Sequence, residues 1–454
     1  MRILFVNLPS VPKGAQQIKS MPMGILYLSA YIKAYTDCEV KMLDIGEEPE
    51  DWIPDIIAYS VIFSSSHSHF VEKVAELKKV FPDALTIAGG NHATNAFEEI
   101  GRHVDNVFLG EAELTLTHCL KNGFPSKYIK SELMDITDML QPDWDLIDMD
   151  KYINSDNRAM QTDKKTATII TSRGCPFKCT FCAAHTVHGR KLRLRSIDSV
   201  VEEVKELNER YGVTLFIIED DLFCAPKSRG LGLLKRFREL KIDGFEMRFP
   251  SAFSVKILDE DIINALIESG TDIFNIAIES GHPRIQKEIK KEVPLDKAKK
   301  LVAYVRSKGK VARVYFMLGF PGETREDMQV TIDYAISLKA DWCRFAAATP
   351  LIGSEMYQSF LPFLPNDIWE GTHFGRRCFD TPGVSGEELT ALVREAHNYV
   401  NYLHGPYFGS GQIEKGIVGL RAYSGIHPDK KVQLLVSIEN QNMTYKVWVE
   451  KGEE

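Results

Sequence analysis

Three of the eight cysteines in this 454-residue chain fall within eight residues, and that crowding constrains the fold more than any other feature. They are Cys175, Cys179 and Cys182, spaced C-x3-C-x2-C in Arg173-Gly174-Cys175-Pro176-Phe177-Lys178-Cys179-Thr180-Phe181-Cys182. The string follows an apolar run, 167–171, that reads as a strand. Three thiolates on one short loop can hold three corners of a four-iron, four-sulfur cube, leaving one iron open to a ligand that needs an electron. A structural zinc site would need a fourth ligand, with His185 or His188 nearest, and usually has cysteines in C-x2-C pairs. The spacing favours the cluster. The other five, Cys38, Cys119, Cys224, Cys343 and Cys378, are scattered singly and read as small buried hydrophobes. Lone thiols in a long chain without an export signal point to a reduced, cytoplasmic setting; the opening MRILFVNLPS reads as a first strand.

Two alternations of strand and helix signals flank a connector. In residues 1–135 the strand candidates are 3–8, 40–45, 56–63, 85–88 and 107–109, with helical periodicity over 24–34 and 71–80. This predicts an α/β doubly wound, Rossmann-like parallel sheet, with ligands outside the carboxyl ends of its strands. The loops expected there are 9–14, 64–69, 89–94 and 110–113, all small, polar or glycine-bearing. Residues 136–165, rich in Asp, Pro and Trp, read as a connector. Within 166–385, strand candidates at 167–171, 214–218, 245–249, 273–278, 312–318 and 342–347 alternate with helices such as 199–210, 259–269, 295–308 and 326–338. Six such units predict a partial (β/α)6 barrel of the TIM type, its chemistry at the carboxyl strand ends. Residues 386–454 read as a small α+β region, a helix over 386–403 and a hairpin of 432–438 and 444–449 around Asn440-Gln441-Asn442.

Charge narrows the partners. Lys plus Arg total 55 and Asp plus Glu total 63, a net charge of −8, which argues against a protein that coats nucleic acid. No segment approaches the roughly 20 apolar residues needed to span a bilayer.

The cysteine loop and the strands after it resemble the radical S-adenosylmethionine enzymes. That resemblance implies S-adenosylmethionine on the open iron, cleaved by one electron to a 5′-deoxyadenosyl radical, and an external electron donor such as flavodoxin or ferredoxin. It implies Phe181 against the adenine. Glu219-Asp220-Asp221 ends the second barrel strand, where Glu219 and Asp220 would accept hydrogen bonds from the methionine ammonium; Asp220 or Asp221 also suits a helix N-cap. Ile278-Glu279-Ser280-Gly281 resembles the segment that contacts the ribose; otherwise Ser280 caps a helix and Glu279 is solvated. Arg313 would pair with the methionine carboxylate, or with Glu279 or Glu219. In Met317-Leu318-Gly319-Phe320-Pro321-Gly322-Glu323-Thr324, the glycines, Gly319 among them, suit close approach of adenine to the backbone, and Thr324 suits a helix cap. This string and Thr349-Pro350-Leu351-Ile352-Gly353-Ser354 are very like those of radical enzymes that also carry cobalamin.

Within that group the N-terminal domain binds cobalamin. Gly89-Gly90-Asn91-His92 and Gly110-Glu111 resemble the loops that hold the nucleotide tail, with Pro9 and the hydroxyls of Ser64, Ser65 and Ser66 beside them. The turn Pro22-Met23-Gly24-Ile25 also resembles the family. The D-x-H-x-x-G string that places a histidine under cobalt is missing: residues 7–14 read NLPSVPKG. Base-off cobalamin without a protein histidine ligand is expected, leaving His67, His69 and His92 in polar or supporting roles.

These resemblances imply a methyltransferase acting on an unactivated carbon of a small molecule or peptide side chain after hydrogen abstraction. A cyclase, oxygenase or rearrangement enzyme with the same cofactors is the alternative. RNA methylthiolation would call for further N-terminal cysteines and a basic domain, and a sensor would not need the whole set of sites. Tyr315, Trp342, Arg344, Arg376 and Arg377 are candidates to line a substrate cavity.

Overall fold

The computed structural model describes residues 1–10, 20–47, 52–154, 164–365 and 377–404, and the backbone of 432–439 and 442–449. Residues 11–14, Arg376 and the Asn440-Gln441 turn, each named above, lie outside the described residues. The chain divides into two compact units, Met1–Asp272 with Pro350–His373, and Ile273–Thr349 with Phe374–Glu454.

The first unit begins with six parallel strands: β1 (Arg2–Asn7), β2 (Glu39–Leu43), β3 (Ile56–Ser60), β4 (Leu85–Gly89), β5 (Asn106–Leu109) and β6 (Tyr128–Lys130), in the order β2-β1-β3-β4-β5-β6. Alternation along β1 explains why both faces are covered. Leu4 and Val6 join Ile57, Tyr59 and the helix His67–Val80 through Phe70, Val74 and Leu77. Ile3 and Phe5 join Ile56, Ala58 and the helix Met23–Tyr35 through Ile25 and Ile32. Period-two side chains on a sheet covered on both faces give near-continuous apolar strands. The sixth strand was not expected: it has three residues and only Ile129 is buried, too short for a period to show. The helix expected from Val71 starts at His67, because a 3-10 turn over Ser64–Ser66 leads the chain into it. Strand order reverses between β1 and β3, so a crevice opens at their carboxyl ends.

The same unit continues with β7 (Thr166–Ile169), a two-residue antiparallel ribbon of β8 (Ser172–Arg173) and β9 (Arg193–Leu194), then β10 (Leu215–Ile218), β11 (Glu246–Arg248) and the short β12 (Phe253–Ser254). Strands β11-β10-β7 form a parallel sheet. Two of its helices start on side-chain caps: Ser196 accepts from the Ser199 N–H, and Asp259 from the Ile262 N–H.

The second unit holds β13 (Ile273–Glu279), β14 (Val311–Leu318) and β15 (Trp342–Ala347), all parallel. Phe274, Ile276, Val314, Phe316, Cys343 and Phe345 are buried on one face. Asn275, Arg313, Tyr315, Trp342 and Arg344 hold the alternate positions. Thr324 and Asp327 form a reciprocal capping box for the helix Arg325–Leu338. The helix Gly386–His404 docks on β15 through buried Asn401: its Oδ1 accepts from the Cys343 N–H at 2.6 Å, and its Nδ2 donates to the Cys343 carbonyl at 2.7 Å. These bonds occupy backbone groups on the outer side of β15. An antiparallel pair, β16 (Val432–Glu439) and β17 (Asn442–Val449), completes the unit. The strands β7, β10 and β11 of the first unit and β13, β14 and β15 of the second, parallel within each set and alternating with helices along the chain, match the strand–helix order expected of the partial barrel. Among the described residues no helix is long and apolar enough to cross a membrane.

Candidate functional site

Cys175, Cys179 and Cys182 are half-buried on one loop between β8 and β9. The Cys182 N–H donates to the Cys179 carbonyl at 3.2 Å, closing a turn within the loop. Gly174 has φ +87, and a Cβ there would come within 2.4 to 3.3 Å of three backbone carbonyls, so only glycine permits this loop path. Arg190 braces the loop by donating to the Phe177 carbonyl at 2.6 Å, and the Met356 N–H donates to the Thr180 carbonyl at 2.8 Å. Burial pushes the Cys175 thiol up to about 11, with Asp221 and the other two thiols adding to the effect. Three sulfur donors gathered on a glycine-shaped loop fit the iron cluster. His188, a candidate fourth ligand for zinc, is committed elsewhere through Nδ1, 2.7 Å from Glu111.

At the end of β10, Asp220 turns away from the role expected of it. It is 3 % exposed, and accepts from the Thr171 N–H and hydroxyl at 2.6 Å each and from the Ser172 hydroxyl at 2.7 Å. Burial pushes its carboxyl up, while those bonds pull the other way. Asp221 accepts from the Gly174 N–H at 2.9 Å. The two aspartates brace the approach to the cysteine loop, and Glu219 is the half-buried carboxylate beside them.

In the second unit Glu279 stands at the end of β13, where the register shifts between Ala277 and Glu279, and its φ is +72. Its carboxylate pairs with Lys291 at 3.2 Å. Ser280 departs from the expected ribose contact: it is fully buried, shares a 3.0 Å hydrogen bond with Thr331 and accepts from the His282 N–H. Arg313 is buried over the Trp342 ring. Register aligns Arg313 with Trp342 and Tyr315 with Arg344. Burial raises the Tyr315 hydroxyl, with Arg344 and Arg313 opposing and Glu279 reinforcing, which sets three charges in range of one ring. Gly319 is enclosed by protein: its N–H donates to Glu323 at 2.6 Å, Arg377 donates to its carbonyl, and a Cβ would meet Leu389 at 2.5 Å. Its expected openness to adenine is therefore corrected to tight packing, and Arg377 is a strut for this turn.

The first sheet carries a cavity of about 280 Å³ at its carboxyl ends. Phe5, Ile25, Leu28, Ile87 and Phe108 help make its walls mostly apolar, and Gly24, Gly89, Gly90, Asn91, Gly110 and Glu111 are also in its lining. A Cβ built on Gly24 meets nothing within 4 Å, so the missing side chain keeps that space open. An apolar, glycine-edged slot fits a flat aromatic base with a polar tail. The serines do not line it. Ser66 donates to the Pro9 carbonyl at 2.5 Å, Ser65 to the Ser10 carbonyl at 3.0 Å, and Ser64 lies 3.1 Å from His92 Nδ1. Ser65 and Ser66 thus pin the loop after β1, with Pro9 as one partner. His92 is buried between Ser64 and His67, its Nε2 3.1 Å from His67 Nδ1, and burial drops its pKa to about 3, His67 adding. His69 Nε2 is buried without a hydrogen-bond partner.

One buried cluster ties the cavity to the cysteine loop. Glu111 takes two bonds from Arg193, at 2.7 and 2.6 Å, one from His188, and lies 3.4 Å from Arg173. Arg173 pairs with Glu113 at 2.8 Å and lies over the Tyr27 ring. Asn95 links the helix Asn91–Asn95 to the loop by donating to Thr186 at 2.9 Å. Sequence reasoning placed Glu111 on cobalamin and missed Arg173, Arg193, Glu113, Asn95 and Thr186. The available signal was two carboxylates, Glu111 and Glu113, in a loop otherwise short of charge, which need countercharges if buried.

A family model of the radical SAM superfamily matches residues 169–335, and one of the B12 binding domain matches residues 18–120. The chain belongs to the radical SAM superfamily and carries a B12-binding domain ahead of its radical SAM core; it is a cobalamin-dependent radical SAM enzyme. Its cofactors are the [4Fe–4S] cluster, S-adenosylmethionine and cobalamin. Cytidylyl-2-hydroxyethylphosphonate methyltransferase of Streptomyces wedmorensis is 29% identical over 84% of this chain and 86% of that protein. Bacteriochlorophyllide d C-12(1)-methyltransferase of Chlorobaculum tepidum is 24% identical over 87% of this chain and 84% of its own. Among solved structures, the radical S-adenosylmethionine methyltransferase TsrM from Kitasatospora setae, with cobalamin and a [4Fe–4S] cluster bound, shares the fold: TM-score 0.62, 18% identity, 78% of this chain and 73% of that one.

Proposed function

We propose that this enzyme transfers a methyl group from cobalamin to an unactivated carbon of a small molecule or peptide side chain. The observation that carries this reading is the Glu111 cluster, which joins the wall of the tail cavity to the arms of the cysteine loop within one unit. The methyltransferase relatives spanning most of both chains support it. The bound cofactors supply a one-electron source, a hydrogen-abstracting radical and a transferable methyl group.

The chain's own residues position and exclude. Cys175, Cys179 and Cys182 would hold the cluster, and Phe181 would lie against the adenine. In the first unit Glu219 would accept from the methionine ammonium; in the second, Glu279 would accept from the ribose and Arg313 would pair with the carboxylate. Asp220 and Asp221 act through the loop they brace. Gly24, Gly89, Gly90, Asn91 and Gly110 shape the tail groove. His92, committed to Ser64 and His67, would support the groove and not ligate cobalt, in keeping with base-off cobalamin. Electrons come from a flavodoxin or ferredoxin in the cytoplasm.

The test uses methyl-deuterated S-adenosylmethionine with the anaerobic holoenzyme, hydroxocobalamin and a chemical reductant. Deuterated methylcobalamin and 5′-deoxyadenosine should both form, and cell extract should yield a product heavier by one deuterated methyl group. Absence of deuterated methylcobalamin alongside continued 5′-deoxyadenosine formation would exclude methyl transfer and leave a cyclising, oxygenating or rearranging enzyme.

A further inference from the structure

We propose that His67, Glu99 and His103 form a binding site for a divalent transition ion of the zinc class on the far side of the tail-groove loop. One donor atom from each lies within 4.8 Å of the other two, on three separate pieces of chain: the first turn of the helix His67–Val80, the short helix Phe97–Ile100 and the turn after it. Two imidazoles and one carboxylate are the donor set that zinc and its neighbours take in open sites, with a solvent molecule completing the shell.

The separations suit ligands of one ion better than a direct ion pair. Glu99 Oε1 stands 3.9 Å from His103 Nε2, outside hydrogen-bond range. Donors bound to a tetrahedral ion at ~2.0–2.1 Å sit roughly 3.3 Å apart, so closure on the ion requires shifts of under about 1 Å. The second carboxylate oxygen of Glu99 is engaged by Arg102 at 2.6 Å, which orients Oε1 inward. Lys78, the other cation facing the turn, is anchored on the His103 carbonyl at 2.9 Å. Phe70 packs against both rings, edge-on to His103 with centroids 6.0 Å apart and tilted to His67 with centroids 6.4 Å apart.

Ligating histidines almost always donate their other ring N–H to an acceptor, which sets the tautomer. His67 has that arrangement: Nδ1 lies 3.1 Å from His92 Nε2, and His92 Nδ1 lies 3.1 Å from the Ser64 hydroxyl. With Nδ1–H directed at His92, the lone pair of His67 is on Nε2. The relay Ser64–His92–His67 then connects the ion to Gly90 and Asn91, which line the cavity. The ion acts as a clamp on the groove wall, independent of the cluster and of the cobalt.

The experiment loads anaerobically reconstituted full-length enzyme with zinc, removes unbound metal and counts zinc and iron per chain by mass spectrometry. One zinc should accompany four irons. Glu99→Gln and His103→Asn should each lower zinc at least tenfold with iron and circular dichroism unchanged. The triple change Cys175→Ala, Cys179→Ala, Cys182→Ala should lose iron and keep zinc, which separates this site from adventitious zinc on the thiols. Cobalt(II) in wild type should give ligand-field absorption that His103→Asn abolishes. Zinc below a tenth per wild-type chain, or zinc unchanged in both single variants, would overturn the site and show that Glu99 and His103 are a surface pair only.

Discussion

Two buried glutamates, one in each unit, show how differently this chain stabilises the turns at its strand ends. Glu111 is 6 % exposed and Glu323 is 1 % exposed. Burial pushes both carboxyls up. In Glu111 the push is overcome by bonds from Arg193 and His188 and by the charge of Arg173, which hold the pKa at about 2. Among the described residues Glu323 accepts only from the Phe320 and Gly319 N–H groups, and its pKa rises to about 7. Full charges outweigh desolvation where peptide dipoles do not. The consequence for stability has opposite sign. Glu111 contributes stability that is present above the ordinary carboxyl pKa and is lost as pH falls towards 2. Glu323 is favoured in its protonated form; its contribution is present below its ordinary value of 4.5 and is lost as pH rises through 7.

The comparison can be broken from either side, and the largest effect lies in the first unit. The triple change Cys175→Ala, Cys179→Ala, Cys182→Ala should abolish iron binding and all 5′-deoxyadenosine formation, measured by iron assay and chromatography; four irons retained would refute the cluster assignment. Glu111→Gln should come next, destabilising by ~3–5 kcal/mol because buried guanidiniums lose a full countercharge. Denaturant unfolding would check it, and a loss under about 1 kcal/mol would show that Glu113 alone satisfies Arg173.

Gly24→Leu sharpens the comparison within the cavity. It should weaken cobalamin retention by at least about tenfold, ~1.4 kcal/mol, while iron content stays constant. Gly24 is a cleaner probe than Gly90, whose φ of +108 and approach to the Val61 carbonyl would strain any larger residue. Unchanged retention in Gly24→Leu would place the tail elsewhere.

In the second unit Asn401→Ala should cost ~1–3 kcal/mol, because it strips the Cys343 N–H and carbonyl of their partners. Glu323→Gln should have the smallest effect, within about 0.5 kcal/mol of wild type near neutrality. It should also flatten the decline in stability between pH 5 and 8. A large loss at pH 6 would mean that the protonated acid makes a bond an amide cannot replace.

Much of the architecture was legible because it rests on local patterns. The period-two apolar runs of β1, β3 and β14 and the reciprocal cap of Thr324 and Asp327 are written within a few residues of one another. The cysteine spacing is local in the same way, and so is the lack of histidine in residues 7–14. By itself the sequence determined that this chain would be two alternations of strand and helix, with a three-thiol loop after the first strand of the second. Tertiary structure alone decided which polar residues face a ligand. Asp220 bonds Thr171 and Ser172 across 49 and 48 residues, and Ser66 bonds Pro9 across 57. Ser280 meets Thr331 across 51, and Glu111 meets Arg193 across 82. A polar residue at a strand end has the same composition whether it faces a cofactor or a buried hydroxyl. What separates the two is the desolvation cost of leaving a distant partner unpaired, and that partner comes within reach only when the strands assemble.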